Sequence, residues 1–197
     1  MWLKEIPQPE LEQDAGEVGR WFHRGLPWVV CRHRGKPEHV SLGFCVASDS
    51  PGRRPRRFAV QAPHDHVLRM ELPPSLATVS DRCGSDALAT LTATASAESL
   101  NLHVFGSWMW QALTGDSYVN AASDLDILLD VTSEAEASRA VAFLQRQESA
   151  CPIKIDGEFS LPGRGEVHWR EYGCDSPTLL LKSMTTVQLL PRENLWR

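Results

Sequence analysis

The chain has 197 residues, 42% of them hydrophobic, and carries a formal net charge of −5 at pH 7. That is apolar material for one generous domain or two compact ones, and it argues against disorder of the whole chain. The acidic balance argues against a partner held by bulk positive charge, such as nucleic acid, and no stretch reaches the roughly 18 apolar residues of a membrane helix. The opening MWLKEIPQPELEQDAG places acids and prolines where an export signal needs a basic start and an apolar run. Cys31, Cys45, Cys83, Cys151 and Cys174 include no C-x-x-C pair. They are expected to be small buried thiols in a reducing, cytoplasmic setting, neither bridged nor bound to zinc.

From about Gly19 to Met70, short apolar runs (PWVVC, VSLGFCV, FAV) alternate with turn-rich pieces (RGKPE, ASDSPGRRPRR), the texture of a small β-rich domain. Glu71 to Gly84 contains Pro73, Pro74 and Gly84 and reads as a linker. A cut near residue 82 gives domains 1–82 and 83–197. Ala87 to Leu100 reads as a helix with Asp86 as its cap. Leu102 to Phe105 reads as a strand running into Gly106-Ser107, and Trp108 to Leu113 as a brief helix ending at Gly115.

Leu125 to Val131 is a near-continuous apolar run, expected to be a strand buried on both faces. Ser133-x-x-Glu136 is a capping box, followed by Ala137, Ala140, Val141 and Leu144 at helical spacing. Ile153 to Leu161 and Val167 to Tyr172 read as strands joined through Pro162-Gly163-Arg164-Gly165. LLLKSMTTVQLL fits either strand or helix. The order predicts an α/β (α+β) fold: a mixed sheet covered by helices in the C-terminal half, beside a small β-rich N-terminal domain.

Asp124 and Asp126 stand two apart at the start of a strand, so both carboxylates point to one side, their Cα atoms about 6.5 Å apart. Like charges that close repel unless one protonates or a divalent cation joins them. Mg²⁺ takes hard oxygen ligands and keeps positions for water and phosphate. Gly106-Ser107, between a strand and a helix, offers backbone amides and the positive end of a helix dipole to a phosphate. Together these are the parts of phosphoryl-transfer chemistry with one or two metal ions.

The sequence strand, Gly106-Ser107, short helix, then Asp124-x-Asp126 on a strand resembles the nucleotidyltransferase superfamily, whose pattern adds a third acid on a later strand. The sixteen residues between Ser107 and Asp124 exceed the usual spacing there, so the connecting loop is enlarged. The string FGSWMWQALTGDSYVNAASDLDILLD, with IKIDGE and LLLKSMTTVQLLPRENLW, is similar to the phosphoribosyl-dephospho-CoA transferases of malonate decarboxylase, also called its holo-acyl-carrier-protein synthases. The similarity is clearest over residues 100–197; the first half carries no specific motif.

This resemblance implies a nucleotidyltransferase-type catalytic half. It also implies transfer of the 2′-(5″-phosphoribosyl)-3′-dephospho-CoA group from its triphosphate donor, triphosphoribosyl-dephospho-CoA, to a serine of the acyl carrier protein subunit, with release of pyrophosphate. Asp124 and Asp126 would hold Mg²⁺, and Gly106 and Ser107 the leaving phosphates. Asp156, on the strand IKIDGE, is favoured as the third acid over Glu158 or Glu171. The alternative is another Mg²⁺-dependent nucleotidyltransferase that moves AMP from ATP to a small molecule or protein.

Arg53, Arg54, Arg56 and Arg57 form a basic group suited to phosphates or to an acidic carrier, with Arg57 the best single candidate; a solvated loop is the plainer alternative. Lys182 interrupts an apolar run and is expected to meet a phosphate, a site carboxylate, or water at a sheet edge. Trp108 and Trp110 are expected in the core, His103 as a satisfied core histidine, and His64-x-His66 lacks a third metal ligand.

Overall fold

The computed structural model describes residues 1–33, 36–48 and 54–197. Backbone contacts divide the chain into two compact units, residues 1–72 with 116–118, and residues 73–115 with 119–197.

The first unit contains β1 (Trp2–Leu3), β2 (Gln8–Pro9), α1 (Ala15–His23), β3 (Val29–Val30), β4 (His39–Val46), β5 (Arg56–Pro63) and β6 (Val67–Arg69). Four strands form an antiparallel sheet in the order β2-β5-β4-β3, and β1 pairs with β6. The β-rich expectation is met, although α1 had no counterpart in it. An aromatic cluster holds the unit together. Phe44 stacks on Phe58 with ring centroids 4.8 Å apart and meets Trp28 edge-on at 5.1 Å, while α1 adds Trp21 at 4.7 Å from Phe44. Such pairs contribute beyond the area they bury.

The second unit comprises α2 (Leu76–Cys83), α3 (Asp86–Ala97), β7 (Leu102–Phe105), α4 (Gly106–Thr114), β8 (Leu125–Asp130), α5 (Glu134–Ala150), β9 (Ile155–Leu161), β10 (Gly165–His168), α6 (Trp169–Gly173), β11 (Thr178–Lys182) and β12 (Val187–Pro191). Its six-stranded mixed sheet runs β12-β11-β10-β9-β8-β7. β8 and β9 pair in parallel across the crossover helix α5, and the other neighbours pair antiparallel. The mixed α/β (α+β) architecture is as expected.

Several elements differ from the sequence reading. The expected linker holds α2, because Ser75 caps it by accepting from the Thr78 amide and Leu76 and Val79 turn inward. The cut near residue 82 therefore falls inside a helix, whereas the compact units part between Leu72 and Pro73. Helix α3 is capped by Ser85, whose hydroxyl accepts from the Leu88 amide, so Asp86 is its first residue and not its cap. β8 is buried on one face only: Leu125, Ile127 and Leu129 are at most 4% exposed, while Asp126 and Leu128 are half-buried.

The Ser133 hydroxyl caps α5 at the Glu136 amide, and Glu136 reaches back one residue further than a capping box requires, to the Thr132 amide and hydroxyl, both at 2.7 Å. The second expected strand of the 153–172 hairpin ends at His168, and residues 169–173 turn into α6. LLLKSMTTVQLL forms the hairpin β11–β12. The expected burial of the cysteine thiols is not seen: none is fully buried, and Cys31 and Cys174 are exposed. Among the described residues no helix is long and apolar enough to cross a membrane.

Candidate active site

Strand alternation sorts the six-stranded sheet into two faces. One carries Ile127, Ile155, Phe159 and Val167, all buried, with Tyr172 of α6 edge-on to Phe159 at 5.6 Å. The other carries a polar row: Asp126 lies opposite Asp156, Glu158 opposite His168, and Glu166 opposite Lys182.

Asp126 also lies opposite Phe105, the last residue of β7. The next residue, Gly106, has φ +68, and a Cβ placed on it would stand 1.9 Å from Oδ2 of Asp126. Backbone conformation and space both demand glycine here. Phe105 gives α4 no side-chain cap. First-turn amides of that helix are thus left for water or an anion, beside a carboxylate. Ser107 occupies the same turn, half-buried.

Asp156 stands across the parallel pair from Asp126, at a strand spacing of about 4.8 Å. Its Oδ1 accepts from His168 Nε2 at 2.6 Å, the Gly157 amide at 2.9 Å and Arg170 Nη1 at 3.2 Å. Burial opposes its charged form, but the hydrogen bonds from His168 and Gly157, helped by the nearby Arg170 guanidinium, outweigh it and hold the carboxyl below the usual aspartate range. Arg170 is itself gripped by Glu148 of α5, at 3.0 Å from Nε and 2.6 Å from Nη2.

Asp124 lies one residue before β8 and is bonded to Lys154 Nζ at 2.8 Å, a contact that raises the lysine's pKa. Glu158 accepts from Lys182 Nζ at 2.5 Å through one oxygen, while its other oxygen is buried with no partner among the described residues. Lys182 therefore meets a carboxylate on the open face. Among the described residues no group of three or more His, Cys, Asp or Glu is arranged to hold a metal. Two carboxylates facing one another beside free amides nevertheless fit Mg²⁺, which takes one or two from protein and completes its octahedron with phosphate and water.

Arg57 is exposed on β5 in the first unit, and Arg54 is exposed before it; Arg53 lies outside the described residues. Arg56 sits 4.8 Å from the Phe58 ring and 3.7 Å from Glu17. Glu171 uses Oε1 to accept from the Leu180 amide at 2.7 Å, a structural bond of α6. Trp108 and Trp110 are buried, as expected. His103 is satisfied by the Pro73 carbonyl at 2.7 Å but only half-buried. His64 and His66 engage different groups, the Pro37 carbonyl and the Glu5 carboxylate. Sequence reasoning missed His168, Arg170 and Lys154. Carrying the alternation of β9 across the 162–165 turn would have put His168 on the acidic face.

Residues 73–193 match the model described as phosphoribosyl-dephospho-CoA transferase MdcG C-terminal domain, and residues 1–73 match that of the N-terminal domain. The chain belongs to the phosphoribosyl-dephospho-CoA transferase family, which are transferase enzymes. Among its relatives, a phosphoribosyl-dephospho-CoA transferase of Xanthomonas euvesicatoria pv. vesicatoria is 37% identical over 203 residues, covering 100% of this chain and 94% of its own. Another, from Bradyrhizobium diazoefficiens, is 34% identical over 181 residues, covering 89% and 78%. A third, from Pseudomonas aeruginosa, is 30% identical over 178 residues, covering 88% and 80%. No solved structure matches the chain.

Proposed function

We propose that the open face around Asp126 and Asp156 transfers the phosphoribosyl-dephospho-CoA group from triphosphoribosyl-dephospho-CoA to a serine of the malonate decarboxylase acyl carrier protein, releasing pyrophosphate. The observation that carries this reading is the convergence of Gly106 on the Asp126 carboxylate, with Asp156 directly across the strand pair. That arrangement joins a phosphate-accepting helix start to a cation-binding pair.

In this reading the serine Oγ forms a bond to the α-phosphorus as the bond to the pyrophosphate oxygen breaks, and the serine proton passes to solvent. Bound Mg²⁺, as one or two ions, supplies charge neutralisation on the departing pyrophosphate and lowers the pKa of the attacking hydroxyl. Asp126 and Asp156 hold the cation, and Asp124 joins them by exchanging its bond with Lys154. Gly106 and Ser107 hold the leaving phosphates through backbone amides and the serine hydroxyl. Lys182, at the far end of the same face, takes a donor phosphate by exchanging its bond with Glu158. Arg57, exposed on β5, stays a candidate for a donor phosphate or the acidic carrier. Five cysteines without a C-x-x-C pair suit a reducing cytoplasm.

The test is to incubate the protein with apo carrier protein, Mg²⁺ and either triphosphoribosyl-dephospho-CoA or ATP, and to weigh the carrier. A gain of the phosphoribosyl-dephospho-CoA mass is expected with the first donor, lost when a chelator removes Mg²⁺. A gain with ATP alone, or an undiminished gain without divalent cation, would overturn it.

A further inference from the structure

We infer that His168 and Arg170 are positioning residues that lock the Asp156 carboxylate, committing Oδ1 to the protein and leaving Oδ2 as the single oxygen offered to a cation. This rests on the metal-binding reading above and concerns residues that the reading leaves without a role.

Three donors converge on one oxygen. His168 Nε2, the Gly157 amide and Arg170 Nη1 all reach Oδ1 of Asp156, at 2.6, 2.9 and 3.2 Å, and among the described residues no hydrogen bond is made to Oδ2. An oxygen so occupied has no lone pair left for a metal. The direction of the shortest bond is set on the other side of the imidazole. His168 caps α6, its Nδ1 accepting from the Arg170 amide at 3.2 Å, so Nε2 carries the proton and donates it to Asp156.

Arg170 fixes the carboxylate without cancelling its charge, because Glu148 neutralises the guanidinium from α5, and Nη2 is further tied to the Ile155 carbonyl at 2.7 Å. The clamp is thus anchored in two helices and a strand. A carboxylate held this way cannot rotate to bidentate binding, and it offers the octahedral Mg²⁺ shell one defined oxygen.

Two replacements separate the clamp from the cap. His168→Asn keeps an acceptor for the start of α6 but is too short to donate to Asp156. His168→Gln places an amide nitrogen near the position of Nε2 and gives up the cap. Mn²⁺ binding by the full chain, followed by the paramagnetic resonance of the free ion with no donor or carrier present, is compared with the Tm of each variant. His168→Asn is expected to weaken Mn²⁺ binding about 10- to 100-fold with Tm near wild type, and His168→Gln to bind close to wild type at a lowered Tm. In turnover, His168→Asn should raise the Mg²⁺ half-saturation point more than it lowers kcat at saturating Mg²⁺. Wild-type Mn²⁺ affinity in His168→Asn, or equal impairment of both variants, overturns the clamp alone. A wild-type protein that binds no Mn²⁺ overturns the metal-binding reading and the clamp with it.

Discussion

Leu125, Ile127 and Leu129 of β8 are at most 4% exposed, whereas Asp126 and Leu128, between them on the same strand, stand half-open on the opposite side. β9 repeats the contrast, with Ile155 and Phe159 buried and Asp156 and Glu158 on the polar side. Each buried aliphatic chain contributes about 1.5–3 kcal/mol on leaving water. Each carboxylate on the other side carries a desolvation cost that a donor must offset. Because the two sets alternate, one strand can hold the core and present charge at the same time. Substitutions on the two faces should therefore fail in different assays.

Asp126→Asn tests that separation with the largest effect. Transfer to the carrier should fall by about a thousandfold or more, with an unchanged Tm, and near-normal turnover would remove Asp126 from the site. One residue further on, Ile127→Ala should do the reverse. It should lose about 3 kcal/mol of unfolding free energy in urea, while the folded fraction keeps its turnover. Lys182→Met probes the charged face for stability, since it strands a glutamate whose second oxygen already lacks a partner among the described residues. A cost of about 1 kcal/mol is expected by the same urea titration, modest because the lysine is partly open to water.

The smallest effect lies at the exposed start of α5. The Thr132 amide and hydroxyl hold the Glu136 carboxyl below its ordinary value. Its stabilising contribution is therefore complete above the ordinary glutamate pKa and is lost as pH falls through the depressed one. Glu136→Ala should be slightly less stable than wild type at neutral pH and converge with it in acid. A gap that persists in acid would assign the effect to helix propensity instead.

Sequence legibility followed the range of the interactions. β7 was bounded correctly at Leu102 and Phe105, and α4 was seen to stop at Gly115, which adopts φ +76, because both signals are local. The helix over α2 was obscured by Pro73 and Pro74, which precede its cap without entering it. α6 was mistaken for strand because five residues are too few to show a helical period. The facing of Asp126 and Asp156 depends on parallel register across α5, which spacing along the chain does not specify. His168 comes to Asp156 only through the β9–β10 hairpin and the start of α6, so its identity carried no motif.

The stretch from α4 to β8 leaves the second unit at Asp116 and returns after Tyr118. During that excursion Asp116 meets Arg24 at 2.8 Å, and the Tyr118 hydroxyl donates to the Cys45 carbonyl at 2.8 Å. The seam between residues 72 and 73, where the two family models meet, is thus not a place to divide the protein for expression. A fragment beginning at Pro73 would keep all six strands of its sheet, yet it would carry a tyrosine and an aspartate whose partners stayed behind, a few residues before Asp124 and Asp126.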